Sequence, residues 1–421
     1  MRRNLLPAAL SLLAILLATP AQAQTRCGEA RPVKQVAERS TANIDTEKFL
    51  NHVRNEFAGE FKGYAVVFTG AAGERLGFRR EGWAVDPCDG RGVRFDLNTE
   101  SAIGSITKVA TAVTVLKASD SSRLQRPLTH FLPNRWRDRT HPFYEGVTIE
   151  ELLQHKGGFV KSGGGQHIAD RLANGRERSA TDYAERPRFY SNTSMGIFHF
   201  IFAKYGWLST NFLKRSLTDV EVEHRNSSLS TYNREIQKVT SAAFNHGLYR
   251  QVLQPLEISA TCDPRRQQFP PSSVIRIPPN APIEYFPFFP VARSYSSPAD
   301  SRGRLLASTM ENCAAGGLYM SAKDLAKFTI ALSDPDFLSE ADRSLMMNAG
   351  PAADLYAFNA IQAEGGRAFW HNGRRSEAGH VSYALMIRFA SGAHAVFVTN
   401  SNNDGVAVRN TLREAYRLAR Q

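Results

Sequence analysis

Apolar and polar positions along the chain fall into blocks with different periods. Residues 63 to 69 are apolar almost throughout, residues 75 to 84 alternate, and Gly70-Ala71-Ala72-Gly73 lies between them. That arrangement predicts a β-hairpin. A helix is predicted from Ser105, because Val109, Ala110, Ala112, Val113, Val115 and Leu116 make it apolar on most sides. A helix of that kind is buried. From Thr148 to about Leu256 the pattern is mostly helical, broken by loops at His155 to Gly165 and around Arg186 to Asn192. Within it, Leu217 to Tyr249 is polar and helix-like and carries no recognisable chemistry. Phe269 to Pro290 is proline-rich and reads as a long surface loop. Ser321-Ala322-Lys323-Asp324 resembles a capping box, opening a helix with Leu325, Phe328 and Ile330 on its apolar face. The chain closes with strands over Val381 to Phe389 and Ala393 to Thr399, then a helix over Val406 to Leu418.

Strands at both ends with helices between them predict an α/β fold of the α+β type. An antiparallel sheet flanked by helices is built from both chain ends, with a mainly helical lobe inserted. The expected division is an α/β lobe from residues 24–125 and 300–421, and a helical lobe with an insertion over 126–299. The 421 residues exceed one compact core, which agrees with two lobes.

The first residues change the picture of where the chain works. Arg2 and Arg3 precede an apolar run over Leu10 to Ala18 and a small-x-small site at Ala21-Gln22-Ala23. That is the pattern of a cleavable secretory signal over residues 1–23, implying a periplasmic or secreted protein. The run is too short and wrongly flanked for a membrane span. Four cysteines, Cys27, Cys88, Cys262 and Cys313, then lie in an oxidising compartment. Three pairings exist, and the sequence does not choose among them. Cys27 with Cys88 and Cys262 with Cys313 is the expected pair set, stapling the N-terminal arm and a long excursion.

The formal charge of +12 suits acidic surfaces such as cell-wall polymers or anionic lipid, and equally serves solubility. No basic run interleaved with aromatics suggests a nucleic-acid face. The scattered cysteines and the 11 histidines, none in an H-E-x-x-H pattern, suggest no metal site, and no cofactor is expected.

Candidate chemistry starts at Ser105-Ile106-Thr107-Lys108. Residues three apart on a helix share a face, so the Lys108 amine can stand beside the Ser105 hydroxyl. A desolvated lysine loses its charge and can take the serine proton. Alone the tetrad is weak, since a chain of this length holds about one by chance. Tyr190-Ser191-Asn192 follows, the only Tyr-x-Asn present. A tyrosine beside a cationic lysine ionises more easily and can move protons, and an asparagine can hold a substrate amide. Trp370-His371-Asn372-Gly373 precedes a strand-rich stretch. Gly373 would admit a substrate backbone, the next N–H could complete an oxyanion hole, and His371 could orient a carboxylate or share in proton transfer.

This ordered set, Ser-x-x-Lys, Tyr-x-Asn and His-x-Gly, resembles the serine β-lactamase and penicillin-binding-protein superfamily. The likeness is strongest to its class C branch, with D-alanyl-D-alanine carboxypeptidases, D-aminopeptidases and related esterases. Leu152-Leu153-Gln154-His155-Lys156-Gly157-Gly158 resembles the family's Leu-Leu-x-His-x-x-Gly turn. Ala315-Gly316-Gly317-Leu318 resembles its Gly-Gly-Leu segment, and Pro255-Leu256-Glu257 stands where the family has Pro-Leu-Gly. The resemblance implies a catalytic groove between two lobes, with Ser105 the acylated nucleophile and Lys108 its activating partner. It further implies Tyr190 as proton shuttle, Asn192 on the substrate amide, and an oxyanion hole of the Ser105 and Arg374 N–H groups. The immediate base, Lys108 or Tyr190, stays open.

Departures from the pattern narrow the expectation. His371 stands where dedicated β-lactamases carry lysine, leaving carboxylate recognition weaker or dependent on Arg374 and Arg375. That leans toward peptidase or esterase work on a small-molecule or peptide substrate, cell-wall pieces among the candidates. The 217–249 stretch reads as extra length that could reshape one wall of the groove, and Gly163-Gly164-Gly165 as a flexible rim. A binding or sensor protein that is acylated without turnover is the alternative. An α/β-hydrolase is excluded by the lack of a G-x-S-x-G elbow.

Overall fold

The structure is a computed structural model describing residues 36–37, 44–90, 92–159, 168–174, 188–205, 216–264, 290–307, 313–347, 359–363, 366–402 and 404–420. The expected signal peptide, Cys27, the Gly163–Gly165 rim and nearly all of the proline-rich stretch lie outside the described residues.

The main sheet takes strands from both ends of the chain. These are β1 (Val36–Ala37), β2 (Gly63–Thr69), β3 (Arg75–Val85), β4 (Val93–Arg94), then β8 (Asn359–Ala363), β9 (Gly366–Glu377), β10 (His380–Arg388) and β11 (His394–Thr399). Their order is β1-β3-β2-β11-β10-β9-β8, with β4 on β3. Every pairing is antiparallel. The β2–β11 register, Val66 opposite Phe397, joins the two ends at the centre of the sheet. A smaller antiparallel sheet of β5 (Glu100–Ala102), β6 (Ala260–Thr261) and β7 (Tyr319–Ser321), in the order β5-β7-β6, was not legible in the sequence.

Alternation sorts the central strands onto two cores. Tyr64, Val66 and Phe68 of β2 and Ala395 and Phe397 of β11 join a core with helices Thr46–Phe57 and Gly405–Ala419. Ala65, Val67, Val396 and Val398 face the opposite core, which also holds the Ser105 helix and the helical middle of the chain. Period-two side chains make this separation unavoidable once the register is set.

The expected elements of the sheet and its flanking helices appear with small shifts. The hairpin is β2 and β3, the two closing strands are β10 and β11, and the last helix spans Gly405–Ala419. Ser321 caps the helix Ala322–Ala331, its Oγ accepting the Asp324 N–H at 3.1 Å. The polar 217–249 stretch is two helices, Leu217–Glu223 and Leu229–Leu248. The longer one is not a polar excursion, because Tyr232, Ile236, Val239, Ala243 and Phe244 are buried in the core. Glu221, 7% exposed, anchors the shorter one. It accepts the Asn134 N–H at 2.6 Å and pairs with Lys204 at 3.2 Å.

Candidate active site

Ser105 does not sit on the helix itself. It lies in a 3-10 turn, Gly104–Ile106, and the helix proper begins at Thr107 and runs to Lys117. The tighter turn still brings the tetrad's ends together: Lys108 Nζ donates to Ser105 Oγ at 3.0 Å. Ser105 is half-buried, and Lys108 is 0% exposed. Burial pushes the Lys108 pKa down to about 7, since an ammonium loses its hydration there.

The second hold on Lys108 is a backbone group. Its Nζ donates to the Ala315 carbonyl, on the short helix Cys313–Gly316. Thr111 Oγ1 donates to the Ala314 carbonyl at 2.7 Å, and the Leu318 N–H donates to Thr107 Oγ1 at 3.2 Å. Two threonines one turn apart therefore fasten the Thr107–Lys117 helix to the 313–318 segment. That segment is anchored by the disulfide Cys262–Cys313, with Cα atoms 5.8 Å apart, which agrees with the expected pairing. The other expected bridge involves Cys27, outside the described residues. The family-like Ala-Gly-Gly-Leu run was visible in the sequence, but no side chain there announced a carbonyl partner for Lys108.

Tyr190 completes the cluster. Its hydroxyl shares a hydrogen bond with Ser105, and its ring lies 5.1 Å from Lys108 Nζ. Its pKa is pushed up to about 12, burial outweighing the Ser105 bond and the Arg188 charge. The expected easily ionised tyrosine is therefore corrected: the phenol keeps its proton. The direction comes from the buried part of the ring, which penalises the phenolate, although Tyr190 keeps 38% of its surface exposed where Lys108 keeps none. Asn192 opens the helix Asn192–Gly196 and is exposed, and Ser191 Oγ caps that helix through the Thr193 and Ser194 N–H groups.

Trp370-His371-Asn372-Gly373 lies inside β9 rather than before a strand. Strand alternation then divides the residues. Trp370 packs toward the Gly405–Ala419 helix, with the Arg409 guanidinium 4.4 Å over its ring, and Asn372 bonds Tyr383 of that core. The Arg374 guanidinium follows them, donating to Asn402 Oδ1 at 3.2 Å. His371 and Gly373 face the other way. The Arg375 guanidinium donates to the Tyr319 hydroxyl at 3.2 Å and to the Ala307 carbonyl. Neither arginine side chain is thus placed as a stand-in for the missing lysine: one is on the wrong face, the other is held by Tyr319.

Gly373 is required by close approach. A Cβ there would strike the Ile103 carbonyl and stand 2.8 Å from Ser105 N. A Cβ on Gly104, whose φ is +51°, would stand 2.6 Å from Arg374 N. Two backbones meet at this glycine pair, bringing the N–H groups of Ser105 and Arg374 to one place. Gly104 was not singled out in the sequence, although a glycine directly before Ser105 was the available signal.

His371 is 2% exposed and lies 6.4 Å, ring to ring, from Tyr190. Its Nδ1 donates to the Asn372 carbonyl at 2.7 Å, which leaves Nε2 as an acceptor. Burial and the Lys108 charge push its pKa down to about 3, so it is neutral and carries no charge for a carboxylate. Among the described residues, no group of three or more His, Cys, Asp or Glu side chains is arranged to hold a metal ion. No helix among them is long and apolar enough to cross a membrane.

Comparison with known proteins gives the family and the fold. The family model described as Beta-lactamase matches residues 65–418. A class C beta lactamase from Rhodobacter sphaeroides superposes with a TM-score of 0.57 at 14% identity, covering 88% of this chain and 98% of its own. An octameric penicillin-binding protein homologue from Pyrococcus abyssi gives 0.52 at 18% identity, with 85% and 74% covered. SurE, solved with D-Leu, gives 0.53 at 18% identity, with 88% and 74% covered. At these identities the likeness establishes the fold. None of the curated proteins matches the chain by sequence.

Proposed function

Because the chain belongs to the beta-lactamase family, we propose that it is an exported serine hydrolase that cleaves an amide or ester through an acyl-enzyme on Ser105. The observation that carries the reading is the Lys108–Ser105 contact of 3.0 Å, made by a lysine brought to about pH 7 by burial. A lysine that is half neutral at neutral pH can serve as a base, whereas a phenol near 12 cannot.

In this reading neutral Lys108 takes the Ser105 proton as Oγ attacks the substrate carbonyl carbon. The charge that develops on the carbonyl oxygen meets the N–H groups of Ser105 and Arg374. Tyr190, protonated and hydrogen-bonded to Ser105, gives its proton to the departing nitrogen or oxygen and regains one from Lys108. Water then repeats the sequence to release the acid. Asn192 holds the substrate amide, and the groove lies between an α/β lobe (24–125 and 300–421) and a helical lobe (126–299).

The substrate we favour is a D-amino-acid amide or an ester, which need carry no carboxylate beside the scissile bond, over a β-lactam. Neutral His371 and the diverted Arg374 and Arg375 side chains give a substrate carboxylate little to bind. The test is covalent labelling of the mature protein by a fluorophosphonate and by a fluorescent penicillin, mapped by mass spectrometry. Label on Ser105 that is absent in Ser105→Ala supports the reading, and label elsewhere overturns it. Turnover of D-amino-acid amides, short esters and β-lactams, measured beside it, orders the substrates; a label that persists for hours on every one favours the non-turnover binding protein.

A further inference from the structure

The Tyr190 segment is held at three points by a single residue that takes no part in the chemistry above. His155 follows the helix Ile149–Leu153 in the left-handed conformation, with φ of +60°, and is 1% exposed. Its carbonyl accepts the Phe189 N–H at 3.0 Å. Its Nδ1 accepts the Ser191 N–H at 3.3 Å. Its ring packs on the Tyr190 ring with centroids 4.9 Å apart and planes at 37°. The peptide N–H groups on either side of Tyr190 thus both end on His155, and the phenol ring between them rests on the imidazole.

The tautomer follows from the bonding. Nδ1 accepts, so the ring proton is on Nε2. Burial, with the Lys108 and Arg188 charges next, pushes the His155 pKa down to about 3, so the Nδ1 lone pair survives at any pH where Lys108 works. The left-handed backbone is what lets one residue present its carbonyl and its ring to the same neighbour.

We propose that His155 is a positioning residue that sets the reach of the Tyr190 hydroxyl toward Ser105 by fixing the backbone on both sides of it. This rests on Tyr190 being the proton-transfer group of the proposed function. A displacement of about 1 Å in a reacting group costs about a hundredfold in rate.

The test is acylation of Ser105 by a fluorescent penicillin, separating the limiting rate from the half-saturating concentration. His155→Leu fills the space but offers no acceptor. Its limiting rate should fall about a hundredfold while half-saturation moves less than about threefold. His155→Asn tolerates φ above zero and sets an oxygen near Nδ1, so it should recover to within about tenfold of the parent, whereas His155→Gln should not. Tyr190→Phe should cost far less in the His155→Leu background than in the parent, because both act through one hydroxyl. Additive losses, or His155→Gln matching His155→Asn, overturn the inference. If His155→Leu does not fold, the Asn and Gln pair decides. Should Tyr190→Phe alone leave the rate intact, the reading of Tyr190 fails; a crippled Tyr190→Phe with additive losses condemns His155 alone.

Discussion

Burial of Lys108 has two consequences whose signs can be worked out in advance. Its pKa falls from 10.5 to about 7 in the folded protein. The base is the neutral form, so acylation of Ser105 should decline below about pH 7, approaching tenfold per pH unit. Stability moves the same way for a separate reason. In the unfolded chain the lysine keeps its proton up to about 10.5, so between pH 7 and 10.5 the unfolded state binds more protons than the folded one. Stability must therefore rise with pH across that window, at up to about 1.4 kcal/mol per unit. The whole shift corresponds to about 5 kcal/mol, present as a penalty below pH 7 and gone above 10.5. Lys108→Met keeps most of the side-chain volume and removes the titration. It forfeits two hydrogen bonds, to Ser105 and Ala315, of about 1 kcal/mol each. The variant should be inactive yet more stable than the parent near neutral pH. Its advantage should shrink by about 2.5 kcal/mol between pH 7.5 and 9.5. Urea unfolding of both proteins at pH 7.5, 8.5 and 9.5, with the disulfides intact, measures this directly. Parallel stability curves would show that Lys108 does not titrate in the window, as would an acylation profile with its inflection above pH 9.

Other perturbations test the remaining parts. Gly373→Ala places a methyl between Ser105 N and the Ile103 carbonyl; acylation should fall by about 10²- to 10³-fold, and a parent-like rate in a folded variant would exclude the oxyanion-hole assignment. Replacing Cys262 and Cys313 by serine opens a cross-link spanning 51 residues; the chain-entropy account gives a loss of about 4 kcal/mol in urea unfolding, and a loss under 1 would show that the unfolded chain is not constrained by it. Glu221→Ala takes the acceptor from the Asn134 N–H and the counter-charge from Lys204, which keeps the Leu132 carbonyl at 2.9 Å; we expect a loss of about 2 kcal/mol, with the acylation rate of the folded fraction unchanged.

How much of this was legible depended on whether side chains or backbone carried the information. Strands β2, β10 and β11 are buried on both faces or alternate between two cores, so their apolar runs announced them. Strand β9 did not, because Arg367, His371, Asn372, Arg374, Arg375, Ser376 and Glu377 break any apolar run, and Trp370 to Gly373 was expected only ahead of a strand-rich stretch. It is a strand because β10 pairs with its length from Phe369 to Glu377, a long-range partner no local period encodes. The site divides the same way. Ser105, Lys108 and Tyr190 were legible as residue types in order, and the structure brings their reactive groups together. The Arg374 N–H was expected only through the family resemblance, and the Ala315 carbonyl not at all, since every residue owns such groups. Glu257 shows the limit from the other side: it stands where the family pattern has glycine, yet keeps the left-handed backbone with φ of +49°.

The one chemical expectation that reversed explains how the proposed site would divide its labour. Reading Tyr190 as easily ionised assumed a permanent ammonium beside it. Burial dominates at Lys108, bringing its pKa to about 7, and the partly covered phenol of Tyr190 keeps its proton up to about 12. A largely neutral amine and a neutral phenol, both hydrogen-bonded to one hydroxyl, then supply a base and an acid. The same low-polarity surroundings hold His155 and His371 uncharged. Each deprotonated or protonated form that the reaction needs is then already present at neutral pH. As the reaction proceeds, positive charge forms on Lys108 when it takes the Ser105 proton, and the negative charge on the substrate oxygen meets the backbone N–H groups at the Gly104 and Gly373 crossing.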